Sequence, residues 1–240
     1  MKNKEFFYKQ YNKLKWENQE KTKINSFIYQ FIIKNIILKK KVDEIKIFDI
    51  GFGIGFFLKM LAHKLTKPYK KIILEGCEPS YKNYKYFKPK SFNSNNIKLT
   101  TFNKTFLETK TDTKFDFITA IYVFPHFESG ELNKTCEKIH SMLEDKGKFI
   151  LVVANEKYLK EKLKTEKDLF IEKDIISFNN KKYQEILHYS ELPEIGTIID
   201  YNREEKYYMN LFEKNNFKLL KKEDLDDNGF ICAIFVFEKI

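Results

Sequence analysis

The chain has 240 residues, 42% of them hydrophobic and 16% aromatic, enough to bury one sizeable core and without the composition break that two domains would show. A net charge of +10 raises a polyanionic partner, but all basic residues except Arg203 are lysines scattered among 34 acids, a coding bias that disfavours nucleic acid as partner. No apolar run approaches the roughly 20 residues that span a bilayer, and Met1-Lys2-Asn3-Lys4-Glu5 lacks a signal core, so the expected location is cytoplasmic.

In chain order, aromatics among charges over residues 6–23, and then Ile24, Phe27, Ile28, Phe31, Ile32 and Ile36 at helical spacing, predict two helices. Lys46 to Ile50 is a short apolar strand running into the glycines of Asp49-Ile50-Gly51-Phe52-Gly53-Ile54-Gly55, and Phe56 to Leu65 resumes a helical pattern. Further strands are expected over 71–76, 97–102, 115–123 and 148–154, with helices over 81–87 and 129–143, the latter stopped by Asp145-Lys146-Gly147. This alternation implies an α/β fold, a doubly wound and mostly parallel sheet whose ligand lies beyond the carboxyl ends of its strands. After Ala154 the alternation breaks into a charged helix and hairpin strands near 183–189 and 196–201. A helix over 204–214 and strands over 217–221 and 230–237, joined by Asp226-Asp227-Asn228-Gly229, close the chain. The expected organisation is a single domain over 1–240: helices over 1–40, a nucleotide-binding core over 41–154, an insertion over 155–203 and closing elements over 204–240. Cys77, Cys136 and Cys232 match neither a disulfide framework nor a zinc set, and no metal is expected.

Glycines after a first strand let backbone approach a ligand closely, and the helix that follows presents unpaired amides. A dinucleotide fingerprint needs its third glycine at position 56, where this chain has Phe56. The spacing D-x-G-x-G-x-G, followed one strand later by Glu78, instead resembles the first motifs of class I, Rossmann-like S-adenosylmethionine-dependent methyltransferases. The resemblance covers about residues 46–154 and, more loosely, the closing strands.

It implies a seven-stranded sheet, S-adenosylmethionine as cofactor with S-adenosylhomocysteine as product, N-terminal helices that form a lid, and an insertion that caps the substrate. Residue by residue, it implies that Asp49, Gly51, Gly53 and Gly55 wrap the methionine part and that Glu78, followed by Pro79, accepts from the ribose hydroxyls, a task suited to two acceptor oxygens. Asn103 is placed to read the adenine edge with Phe106 as a stacking neighbour, although a plain turn role for Asn103 stays open. Tyr122 to His126 matches the segment facing cofactor and substrate. Tyr8, Tyr11 and Trp16 resemble the aromatic lid over the methionine end, or pack a helix onto the core.

A hydroxyl acceptor needs a base near neutrality, for which histidine is suited. His126, beyond the fourth strand, is the best-placed candidate, and His188 in the insertion is the second; structural or surface roles compete for both. Arg203 is expected to pair with an anionic group of the acceptor, with Tyr201 lining the same pocket, or else to bridge to Asp200 or Glu204. The turn Tyr122-Val123-Phe124-Pro125-His126 lacks the Asn/Asp-Pro-Pro-aromatic pattern of base-amine methyltransferases, which disfavours an RNA methyltransferase. The expected activity is methylation of an O or N atom of a small molecule, an anionic metabolite such as a phosphorylated, carboxylated or nucleotide-linked sugar being the guess. A non-catalytic binder of the same fold is the alternative.

Overall fold

The computed structural model describes residues 22–38, 43–65, 70–87, 95–192, 196–227 and 229–240. The chain runs through α1 (Thr22–Leu38), β1 (Glu44–Ile50), α2 (Phe56–Leu65), β2 (Lys71–Cys77), α3 (Tyr81–Tyr86), β3 (Ile97–Phe102) and β4 (Phe115–Ile121). A 3-10 turn (Phe124–His126), α4 (Ser129–Met142), β5 (Leu143–Ala154), α5 (Glu156–Thr165), β6 (Phe170–Phe178), β7 (Lys181–Leu192) and β8 (Gly196–Arg203) follow. The last elements are α6 (Glu205–Lys214), β9 (Phe217–Asp227) and β10 (Phe230–Lys239).

Seven strands form one sheet in the order β3-β2-β1-β4-β5-β10-β9. β1 to β5 pair in parallel, while β10 is antiparallel to both β5 and β9. Strand order reverses between β1 and β4, so the carboxyl ends of these neighbours diverge into a crevice. The side-chain period of two sends Ile45 and Ile47 to one face with Leu58 and Leu61 of α2 and Ile28 of α1, while Phe48 and Ile50 pack with α4 and α6 on the other. β5 alternates in the same way, with Ile150 and Val152 on the first face and Phe149 and Leu151 on the second. Helices thus cover both faces, as the near-continuous apolar runs of the inner strands require. No described helix is long and apolar enough to cross a membrane.

β6, β7 and β8 form a separate three-stranded antiparallel sheet. A small cluster of Ala154, Leu159, Phe170 and Ile186 joins it to α5 and to the end of β5. The sequence predicts only two strands in this region. The first strand, Phe170–Phe178, escapes because Ile171 and Ile175 are exposed, so its apolar residues show no clean two-residue alternation. The expected helix stop at Asp145-Lys146-Gly147 lies one element later: α4 ends at Met142, β5 begins at Leu143, and Lys146 takes the left-handed φ of 59° inside that strand's first residues. The helix expected over 6–23 lies almost wholly outside the described residues, as do Tyr8, Tyr11 and Trp16; Thr22 and Lys23 already belong to α1.

Candidate active site

The glycine turn after β1 is tied to the end of β2 by its backbone, the amides of Gly51 and Phe52 donating to the Cys77 carbonyl at 2.8 and 3.2 Å. Gly51, Gly53 and Gly55 all have left-handed φ, at 65°, 56° and 78°, a region costly for residues with a Cβ. Their surroundings differ. A Cβ on Gly51 would stand 2.6 Å from Val123 Cγ2 and one on Gly55 2.1 Å from the Phe87 ring, whereas nothing lies within 4 Å of the position at Gly53. Gly51 and Gly55 allow close packing of the protein onto itself, and Gly53 leaves room above the turn.

That room belongs to a cavity of about 640 Å³, within the size range of small-molecule sites. Asp49, Gly51, Gly53, Glu78, Pro79 and Phe106 line one end of it. Glu78 is buried, and its carboxylate bridges two loops: Oε2 accepts from the Gly53 amide and Oε1 from the Ser80 amide, both at 2.8 Å. Burial pushes its pKa up to about 6 against the pull of these amides. Asp49 accepts from Thr119 Oγ1 at 2.6 Å, and burial raises it to about 7, with the Glu78 charge adding to the rise.

The other end is built from the turn after β4 and from the three-stranded sheet. Tyr122 has a left-handed φ of 57°, rare and strained for a bulky residue, and its amide donates to the Val152 carbonyl at 2.9 Å. Phe124, fully buried among Phe127, Phe149, Tyr208 and Phe212, anchors the 3-10 turn and so fixes the direction of His126. Register places Phe170, His188 and Asp200 in one row across β6, β7 and β8. The Phe170 and His188 rings stack at 4.3 Å and 11°. Asp200 then reaches both histidines, with Oδ1 2.9 Å from Nδ1 of His126 and Oδ2 3.4 Å from Nδ1 of His188. Burial works against the Asp200 charge, but the two imidazoles outweigh it and hold the carboxyl below its ordinary range.

A family model described as a methyltransferase domain matches residues 23–222. The chain belongs to that family. No relative of this methyltransferase was found among curated proteins. Among solved structures, a magnesium protoporphyrin IX methyltransferase from Synechocystis PCC 6803 with bound S-adenosylhomocysteine is 13% identical, with a TM-score of 0.61 over 100% of this chain and 95% of that one. A 1,6-didemethyltoxoflavin-N1-methyltransferase from Burkholderia thailandensis, with 1,6-didemethyltoxoflavin and S-adenosylhomocysteine bound, is 12% identical, with a TM-score of 0.62 over 93% and 80% of the two chains. An S-adenosylmethionine-dependent methyltransferase from Clostridium acetobutylicum ATCC 824 is 16% identical, with a TM-score of 0.58 over 88% and 89%. These likenesses show a shared class I fold.

The methyltransferase brings together at one cavity Asp49, Gly51, Gly53, Glu78, Pro79, Phe106, Tyr122, His126 and His188 of the residues singled out in the sequence. Others stand elsewhere. Gly55 lies beneath Phe87 rather than in the cavity wall. Asn103 is exposed and its amide donates to the carbonyls of Glu78 and Pro79 at 2.8 and 3.3 Å, bracing the Glu78 turn from outside. Tyr11 lies outside the described residues.

Arg203 corrects the expectation of an anion-binding arginine. Its side chain is fully buried, 2.9 Å from Glu185 Oε1, and donates to the carbonyls of Phe127 and Tyr201 at 2.8 and 3.0 Å. Glu185 is its cross-strand neighbour in the β7–β8 pair, so the bridge to Asp200 or Glu204 is not formed among the described contacts either. Tyr201 sits beside the guanidinium at 5.8 Å and does not line the cavity. The planar fork is needed at position 203, but to lock the three-stranded sheet to the loop carrying Phe127.

Asp200 and Asn202 of β8, Tyr158 of α5, Phe170 of β6, and Asp227 and Phe230 of the closing hairpin also line the cavity. Sequence reasoning missed them in this role. Asp200 and Asn202 stand two residues apart on one face of β8, and that polar spacing was the available signal, but the histidine that Asp200 meets depends on hairpin register.

Proposed function

We propose that this methyltransferase takes S-adenosylmethionine as methyl donor and a small molecule as acceptor, the donor lying over Gly51 and Gly53 against Glu78 and the acceptor before His126. The observation that carries the reading is the continuity of one cavity from the open Gly53 turn and the buried Glu78 carboxylate to the His126–Asp200 pair. The residues present fit the donor. Each Glu78 oxygen already holds one backbone amide, yet a carboxylate oxygen has a second lone pair for a ribose hydroxyl. Asp49, Gly51 and Gly53 border the space for the methionine part, and Pro79 and Phe106 wall the far side.

When bound, the donor supplies a methyl group on a sulfonium, open to direct displacement. The protein's own part is alignment, exclusion of water and removal of one proton. Asp200 has no proton to give when ionised, so His126 carries its proton on Nδ1 and keeps Nε2 as the basic nitrogen. Nε2 then accepts the proton that the acceptor's nucleophilic atom must lose. His188 holds the other carboxylate oxygen and, stacked on Phe170, keeps Asp200 in place.

Calorimetric titration of the full chain with S-adenosylmethionine and S-adenosylhomocysteine tests the donor assignment, and absence of binding by both overturns it. Labelled-methyl transfer across a panel of amines, alcohols and carboxylates separates an enzyme from a non-catalytic binder.

A further inference from the structure

Beyond Glu78 the cavity is walled by the loop between β3 and β4, from which Thr105 and Phe106 line the space. With the ribose at Glu78 and the methionine part over Gly51 and Gly53, this is the stretch left for the adenine. The Phe106 side chain is 2% exposed, so its ring is positioned from behind. Phe48 of β1 meets it edge-on at 5.9 Å and 61°, and Lys138 of α4 stands over it with Nζ 5.0 Å from the ring centroid, a contact in which the ring quadrupole attracts the ammonium.

The same ammonium shapes the backbone that carries the ring. Lys138 Nζ donates to the carbonyls of Phe106, Leu107 and Thr109, at 2.6, 3.0 and 2.5 Å. A neutral amine has only two hydrogens, so three such bonds need the protonated form, even though burial pulls the Lys138 pKa down. Three carbonyl dipoles of one short turn point at a single spot and repel one another, and a cation there lets the turn close. The conformation of this turn therefore depends on a side chain 32 positions further along the chain, on a helix.

We propose that Lys138 is a positioning residue for the methyl donor, which shapes the turn over 106–109 and fixes the Phe106 ring for the adenine to stack on. This rests on the donor reading above. Lys138 does not itself line the cavity, so its effect on the donor passes through Phe106.

The test is a double-mutant cycle on the full chain, comparing wild type, Lys138→Met, Phe106→Leu and the double variant. Each is titrated calorimetrically with S-adenosylhomocysteine and with 5′-methylthioadenosine, and its fold is checked by near-ultraviolet circular dichroism. Phe106→Leu is expected to weaken S-adenosylhomocysteine about tenfold, the worth of a stacked ring. Lys138→Met is expected to weaken it at least about fivefold, and the double variant to stay within about twofold of Phe106→Leu, because no ring remains to be positioned. Lys138→Arg, which keeps the charge and the donors, should restore most of the loss. 5′-Methylthioadenosine lacks the amino-acid end and should lose the same factors as S-adenosylhomocysteine.

The assignment is overturned if Lys138→Met binds like wild type, if the two single losses multiply in the double variant, or if the loss is confined to S-adenosylhomocysteine, which would place the effect at the glycine turn. Should Lys138→Met not fold, Lys138→Gln takes its place in the cycle, and an unfolded Lys138→Gln would show that the lysine holds the fold as a whole and overturn the assignment. Failure of the wild type to bind either ligand overturns the donor reading and this one with it, whereas a wild type that binds alongside an additive cycle overturns the role of Lys138 alone.

Discussion

Asp200 Oδ1 lies 2.9 Å from Nδ1 of His126, a contact between residues 74 positions apart in sequence (200 − 126). It joins the turn after β4 to the last strand of the three-stranded sheet. In the proposed reaction the carboxylate sets the tautomer of the ring and so decides which nitrogen is basic.

Replacing Asp200 with Asn keeps the volume but removes the charge, and its amide can donate to Nδ1, which moves the proton to Nε2. Methyl transfer is expected to slow by roughly 10²-fold or more, the range of a lost general base. Affinity for S-adenosylhomocysteine should stay at the wild-type value in calorimetry. An unchanged kcat would show that Nε2 of His126 takes no proton.

Glu185→Gln leaves the guanidinium of Arg203 buried without its counter-charge. Breaking one side of a buried pair is expected to cost about 3–5 kcal/mol, read by urea denaturation. Arg203→Lys should destabilise as well, because one ammonium cannot serve Glu185, Phe127 and Tyr201 in a single plane. In the folded fraction of either variant the acceptor KM is expected to remain near wild type; a large rise in KM for Arg203→Lys alone would return Arg203 to the substrate.

At Gly53 a methyl group meets open space but sits on a left-handed residue. Gly53→Ala is expected to lower stability by only about 1–2 kcal/mol. Its new carbon stands in the space over the turn, so S-adenosylhomocysteine affinity should fall at least tenfold. Gly51→Ala, 2.6 Å from Val123, should instead be poorly folded, and thermal melting of the two variants separates the cases.

Asp49 and Glu78 have folded pKa values raised to about 7 and about 6 by burial. Between their ordinary values and these, the folded state binds more protons than the unfolded one, so the ligand-free protein loses stability as pH rises from about 4 to 7. Asp200 acts in the other direction: its depressed pKa adds stability above the ordinary carboxylate value that is lost as pH falls through the folded one. Affinity for the cationic S-adenosylmethionine should rise as pH passes about 6 to 7, where the two cavity carboxylates ionise in the folded protein. Calorimetry at pH 5.5 and 8.0 measures this, and a Glu78→Gln variant with the wild-type pH dependence would contradict it.

The half of the site proposed to hold the donor was readable because its residues are local. Asp49, Gly51, Gly53 and Glu78 fall at the ends of two successive parallel strands, and in a doubly wound sheet neighbouring strand ends necessarily share one crevice. Apolar period and breaker residues likewise located most of the helices and strands within a few residues, since both signals are short-range. The acceptor half was not readable. Whether His188 meets Asp200 or Arg203 meets Glu185 depends on the register of β7 against β8, and a slip by one residue would turn every side chain to the opposite face. Arg203 stood out in the sequence by its rarity, but rarity carries no direction. Burial against Glu185 and the Phe127 carbonyl decided that it holds the fold together, and the same packing left Asp227, with Tyr122 and Phe230, facing the cavity.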